Sequence, residues 1–113
     1  MKTRPASHSV LITEAPHGDL LDIVDYIAAT DGALRADQIL DGLMRAIHGF
    51  ANLPERGSYP PELLALGIKD YRQTLHKPWR ILYGIEAQHV IVHLVADSRR
   101  NFRSLLTRRL LHG

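Results

Sequence analysis

Residues 69–96, KDYRQTLHKPWRILYGIEAQHVIVHLVA, contain three segments of strand length. The segments are rich in β-branched and aromatic side chains, which favour strands. Polar or proline-containing breaks separate them, and we place the strands at residues 69–75, 79–86 and 89–96. Short connections between successive strands predict antiparallel neighbours.

The residues on either side of this stretch predict one further strand and three helices. The apolar run Val10–Ile12 predicts a strand over residues 8–14. Apolar side chains at helical spacing predict one helix with Pro16 in its first turn and a second over residues 33–53, joined as an antiparallel hairpin. A prolyl loop with one helical turn over residues 62–66 follows, and a short amphipathic helix from Phe102 ends the chain.

The resulting element order is β-α-α-β-β-β-α, an α+β fold. Two helices packed on one face of a small, mostly antiparallel sheet are the natural two-layer arrangement for this order. At 113 residues, we expect a single domain over residues 1–113.

Composition excludes several classes of protein. Because the chain has no cysteine, a disulfide scaffold, a zinc knuckle and a thiol nucleophile are excluded. No apolar run reaches the length of a membrane span, and the basic segment Met1–Pro5 is not followed by a signal-peptide core. We therefore expect a cytoplasmic protein that does not bind membranes.

The net charge of +2 conceals an uneven distribution. Residues 1–55 carry four Lys/Arg and eight Asp/Glu, a balance of −4, whereas residues 56–113 carry ten and four, a balance of +6. A basic half in a small domain suggests a polyanionic partner, either a nucleic acid or an acidic protein segment. A soluble surface with uneven charge is the alternative.

The predicted hairpin indicates where such a partner would bind. If residues 76–78 form a three-residue turn, Arg72 pairs with Leu82 and Thr74 pairs with Arg80. Arg72, Thr74 and Arg80 then share an open face of the sheet. The opposite face, which we expect to pack on the helices, carries the more apolar set Gln73, Leu75, Trp79, Ile81 and Tyr83. A turn of two or four residues would change this parity.

Arginines on that open face would form a cationic site with the arginines that follow the last strand. The planar guanidinium matches phosphate and carboxylate geometry. The arginines that would join Arg72 and Arg80 there are Arg99, Arg100 and Arg103. Solvated, scattered cations are the alternative reading.

Other chemistry is less strongly indicated. His93 and His76 are candidate general acid or base groups, because imidazole titrates near neutrality. His89 and His93 would lie about 13 Å apart on one strand, so we predict no metal site. The glycines form no phosphate-binding loop, and we predict no cofactor. Trp79 and Tyr83 could stack on bases, but their parity favours the core.

Six segments of the chain together carry a resemblance to a known family. They are Thr13–Ile27, Leu53–Gly57, Glu62–Leu63, Gly67–Arg72, Pro78–Tyr83 and Asp97–Arg100. Single motifs are unspecific, but their order and spacing over residues 8–111, together with the element order, match one family. In these features the chain resembles the RelE/ParE superfamily of bacterial type II toxins.

This resemblance implies a growth-inhibiting toxin neutralised by a cognate antitoxin. In the RelE-like branch, the toxin cuts mRNA on the ribosome, and basic residues stabilise the charge that develops on the phosphate. Arg72, Arg80 and Arg100 match basic positions of that branch and, with His93, are the predicted catalytic residues. Target contacts are predicted for Lys69, Lys77, Arg99 and Arg103.

Other positions match the second branch, or neither. Thr74 and Leu106 stand where RelE-like members can carry a lysine and a tyrosine. ParE-like members instead poison DNA gyrase and are not hydrolases. The helix opening formed by Ala15, Asp19, Leu20 and Ile23 is ParE-like.

The sequence leaves the branch open. It also leaves open a homodimer or a toxin–antitoxin hetero-oligomer. A non-toxic basic RNA- or protein-binding module, or an inactive orphan of the toxin fold, is the alternative function.

Overall fold

The computed structural model describes residues 7–112, so the basic segment Met1–Pro5 lies outside the described residues. The first half contains β1 (Ser9–Ile12), α1 (Glu14–Asp31), α2 (Ala33–His48) and a 3₁₀ turn (Gly49–Ala51). The second half contains α3 (Pro61–Leu64), β2 (Tyr71–His76), β3 (Trp79–Glu86), β4 (His89–Asp97) and α4 (Phe102–His112). In the part of the chain so described, no helix combines the length and apolarity needed to cross a membrane.

The four strands form one mixed sheet in the order β1-β4-β3-β2. β1 runs parallel to β4, and the other neighbours are antiparallel. The predicted α+β class and element order are therefore confirmed. α1 begins at Glu14, so Pro16 lies in its first turn, as predicted. α2 is shorter than predicted: it ends at His48, and a 3₁₀ turn follows where we predicted α-helix to residue 53.

The main core lies between the helical hairpin and one face of the sheet. Trp79, Ile81 and Tyr83 of β3 are buried in one cluster with residues of α1 and α2, as predicted. The Tyr83 ring stacks on Phe50, with 4.0 Å between ring centroids. Burial of side chains of this size stabilises the fold by about 1.5–3 kcal/mol each, which makes this the principal core.

The β2–β3 register corrects the predicted face assignment. Only Lys77 and Pro78 lie between the last paired residues, so Arg72 pairs with Tyr83 and Leu75 pairs with Arg80. The predicted pairs Arg72–Leu82 and Thr74–Arg80 are wrong by one residue. Because directly opposed residues share a face, Arg72 and Thr74 lie on the sheet face that packs on α1 and α2, and Arg80 lies on the other face. Gln73 and Leu75, which we predicted on the face toward the helices, also lie on that other face.

The second face of the sheet, which we predicted to be exposed to solvent, is covered. α3 and α4 pack on it through a second buried cluster. Its buried members are Leu63, Leu82, Leu94, Ala96, Phe102 and Leu106. The apolar stripe of α4 needs a partner in order to leave water, and this face of the sheet provides it.

Candidate functional site

The hairpin arginine Arg72 holds the loop that precedes α3. Its guanidinium donates to the carbonyls of Gly57 at 2.9 Å and Glu55 at 3.3 Å. It also donates to the Tyr59 hydroxyl at 3.3 Å and lies 4.7 Å from the centroid of that ring. This half-buried cation therefore contributes to local structure.

The same loop is fastened to the core by a buried tyrosine. The Tyr83 hydroxyl accepts from the Gly57 amide at 2.9 Å and donates to the Pro54 carbonyl at 2.8 Å. Burial raises the pKa of Tyr83, so the hydroxyl keeps its proton and remains a donor. Ser58 and Gln73 also exchange two backbone hydrogen bonds, at 3.0 and 2.7 Å, so the loop covers part of the outer edge of β2.

The second hairpin arginine, Arg80, lies on the opposite face in a partly buried ion pair. Two of its nitrogens donate to the Glu62 carboxylate at 2.8 and 2.9 Å. It also donates to Gln73, and its guanidinium carbon lies 3.5 Å from the centroid of the Phe102 ring. Hydrogen bonds from Arg80 lower the pKa of Glu62. Only 13% of the Arg80 side chain is exposed, and it links α3, β3 and α4.

His93 lies at an irregularity in β4. Leu82 pairs with Leu94 but Tyr83 pairs with Val92, which leaves His93 as the extra residue of a bulge. Its ring meets the Tyr71 ring edge-on at 5.3 Å. Burial lowers the pKa of His93, so the imidazole is neutral at physiological pH.

An ion pair that the sequence did not predict joins α1, β4 and α4. Arg109 donates twice to the Asp19 carboxylate, at 2.8 Å each, and also to the carbonyl of His93 at 2.6 Å. Asp19 in turn accepts from the backbone amide of Val95 at 3.0 Å. The pair therefore takes up backbone hydrogen bonds along the edge of β4 beyond the last residue paired with β1. The two residues are 90 positions apart, and no local pattern links them.

Three predicted target-contact or catalytic residues do converge. Lys77, Arg99 and Arg100 line one groove of about 560 Å³, whose other wall is formed by the second half of α1 and the first half of α2 and includes the carboxylates of Asp22 and Asp31. Tyr26, 68% exposed, lines the same groove. Hydrogen bonds from Arg99 hold the pKa of Asp97 at about 2, so the Arg99 charge is locally compensated.

The other predicted cations lie elsewhere. Lys69 is exposed before β2, and Arg103 is exposed on α4. Arg72, Arg80 and Arg100 do not form the single open face expected from the sequence. The catalytic and target-contact roles of the individual residues remain predictions. Within residues 7–111, no three His, Asp or Glu side chains are grouped so that they could hold a metal ion.

Comparisons with known proteins identify the family. The family described as the ParE toxin of the type II toxin–antitoxin system parDE matches residues 10–102. Among solved structures, the chain is similar to one from the chromosomal ParDE toxin–antitoxin system of P. aeruginosa. The TM-score is 0.68 at 15% identity, over 80% of this chain and 96% of the other. The curated proteins searched gave no match. The low-identity structural match supports the fold, and the family match over most of the chain shows that this protein belongs to the ParE family of type II toxins.

Proposed function

We propose that this toxin poisons DNA gyrase, does not cleave mRNA, and is neutralised by an antitoxin. The observation that carries the choice of branch is the placement of Arg72 and Arg80 on opposite faces of the sheet. Gyrase is the target that the ParE-like branch implies, and the family match supports that branch. The proposed target implies a cytoplasmic site of action.

The geometry argues against a ribonuclease centre at the predicted positions. Stabilising a phosphorane requires several donors aimed at one phosphate. Arg72 instead donates to backbone carbonyls of its own loop, and Arg80 is engaged by Glu62. Leu106, at the position where the ribonuclease branch can carry a tyrosine, is buried in the second core.

An antitoxin partner is supported by the two-component system that the family name specifies. Type II antitoxins that are acidic and partly disordered would bury apolar surface and neutralise cations as they fold on the toxin. The groove that contains Tyr26, Lys77 and Arg100 offers both kinds of surface. Lys69, Arg99 and Arg103 remain proposed target contacts.

The test compares gyrase poisoning with mRNA cleavage by the purified protein. With gyrase, ATP and supercoiled plasmid, we expect linear DNA after detergent and protease trapping. When the protein is added to ribosomes that carry mRNA, we expect the mRNA to remain intact. Ribosome-dependent cleavage of mRNA without trapped plasmid breaks would overturn the proposal.

A paired variant separates the branches at the residue level. Glu62→Gln with Arg80→Met removes the ion pair as a unit, which costs much less than leaving one buried partner alone. We expect gyrase poisoning within about twofold of the parent protein once the melting temperature shows a folded chain. Loss of poisoning by the folded variant would indicate that the Arg80 cation acts on the target.

A further inference from the structure

We propose that the outer face of α4 contacts duplex DNA phosphates while the toxin engages gyrase. This inference rests on the proposed function and adds a DNA-contacting surface to it. The surface, which we call the α4 basic face, consists of Arg100, Arg103 and Arg108.

The sheet separates two helical layers of opposite charge. Residues 14–48, which contain α1 and α2, carry seven Asp/Glu and two Arg, a balance of −5. Residues 98–112, which contain α4, carry five Arg and no acidic residue, a balance of +5. The charge asymmetry between the halves of the sequence thus becomes an asymmetry between two faces of the molecule.

The orientation of α4 places its free cations outward. Phe102 and Leu106 are buried against the sheet, while Arg103 and Arg108 are exposed. Arg100 is exposed in the turn that leads into the helix, where it also lines the groove described above and lies nearer to α1 than the two α4 arginines. Arg103 and Arg108 are five residues apart, so they lie about 7.5 Å apart along the axis of α4 and flank its exposed side.

The three arginines of this face are not neutralised within the described part of the chain. Arg99 pairs with Asp97 and Arg109 pairs with Asp19, whereas none of the three takes part in an ion pair there. Glu62 lies close enough to Arg103 to have its pKa lowered slightly by it, but Arg80 occupies both carboxylate oxygens. The α4 basic face is therefore available to an external anion.

Duplex DNA is the occupant that this arrangement favours. A duplex carries about one phosphate charge per 1.7 Å of axis, so it offers phosphates along the whole length of α4. The acidic α1–α2 layer would be repelled by the same charges and would face away from the DNA. The substrate of the proposed target is also duplex DNA.

The experiment measures DNA binding without gyrase, so that it is independent of the proposed function. A fluorescein-labelled duplex of random sequence is titrated with the full chain between 50 and 200 mM salt. The test variant carries Arg103→Gln and Arg108→Gln. The control carries Arg45→Gln and Arg56→Gln, which make the same change in net charge on α2 and beside its C-terminal end.

We expect the α4 variant to bind the duplex about tenfold more weakly at low salt. The slope of log K against log salt should fall in magnitude by about 1.8, because two phosphate contacts are lost. The control should stay within about twofold of the parent protein. Equal weakening of both variants would show an effect of net charge alone and would overturn the inference.

Competition identifies the polyanion. Single-stranded RNA or polyglutamate that displaced the duplex at lower charge concentration would overturn the assignment to DNA in favour of RNA or an acidic protein. Gyrase poisoning is scored separately. Duplex binding through α4 without trapped plasmid breaks would leave the DNA contact standing and remove the proposed function.

Discussion

Gly57 is the residue at which side-chain size is most restricted. A Cβ there would lie 2.6 Å from the Gln73 carbonyl oxygen and 2.7 Å from the Tyr83 hydroxyl oxygen. The first atom belongs to the backbone of β2, and the second belongs to a ring in the main core, so neither can move freely. The loop therefore needs glycine at this position because of close approach.

We expect Gly57→Ala to lower the free energy of unfolding by about 1–3 kcal/mol, the usual range for overpacking. Chemical denaturation measures this. The matched control is Gly18→Ala in the interior of α1, where a Cβ would meet no heavy atom within 4 Å. That change should stabilise the chain by about 0.5–1 kcal/mol, because alanine favours the helix. A Gly57→Ala protein as stable as the parent would refute the steric argument.

At the scale of elements, the sequence predicts where helices and strands lie better than how they pair. Periodicity located every strand and the main helices, because apolar spacing reflects burial on one side. The predicted faces depended on whether His76 belongs to the turn or to β2. It pairs with Trp79, so the turn has two residues where we predicted three. Both faces of β3 are apolar, since Leu82 is as buried as Ile81 and Tyr83, so alternation could not fix the register.

The candidate site was harder to predict for a related reason. Sequence identifies arginines but not the acceptors that the fold brings to them. Glu62 lies 18 residues before Arg80, and the acceptors of Arg72 are backbone carbonyls that no residue type announces. Leu82, Leu94 and Ala96 on the supposedly open face were the available signal that a second layer covers it.

The Asp19–Arg109 ion pair should stabilise α4 against local opening, because it links this helix to α1. We expect Asp19→Asn to accelerate hydrogen exchange in α4 by about ten- to a hundredfold, since charge-assisted hydrogen bonds contribute about 1.5–3 kcal/mol. The control is Asp25→Asn, an exposed acidic residue on the same helix. Hydrogen exchange resolved by element is the measurement. Unchanged exchange in α4 would mean that apolar packing alone holds the helix.

At the scale of the whole molecule, the sheet has a core on each face. Tyr83 lies in the main core between the sheet and the helices α1 and α2, and His93 lies at the β4 bulge. The Glu62–Arg80 ion pair lies on the other face of the sheet, in the smaller layer formed by α3 and α4. Partly buried titratable groups thus occur on both sides of one sheet. A small domain unfolds as a unit, so the titrations of these groups act on a single stability curve.

These groups predict a stability plateau between about pH 6.5 and pH 10. Burial lowers the pKa of His93 from 6.5, so the unfolded chain binds more protons below that value and stability falls. The lowered pKa values of Glu62, ordinarily 4.5, and Asp97, from 3.8 to about 2, extend the loss into acid. Burial raises the pKa of Tyr83 from 10.0, so the folded chain retains a proton there and stability falls above that value.

Melting temperatures measured from pH 2 to 11 test this curve. One substitution isolates the loss of stability that we attribute to His93, the first to occur as the pH falls below 6.5. His93→Gln removes the imidazole titration but keeps a polar side chain of similar size. The variant should therefore lose the decline between pH 6.5 and 5 while retaining the steeper carboxylate decline below 4.5. If the parent protein melts at one temperature from pH 7 to 5, the imidazole is as accessible to protons in the folded chain as in the unfolded one. Burial beside Tyr71 would then not control its charge.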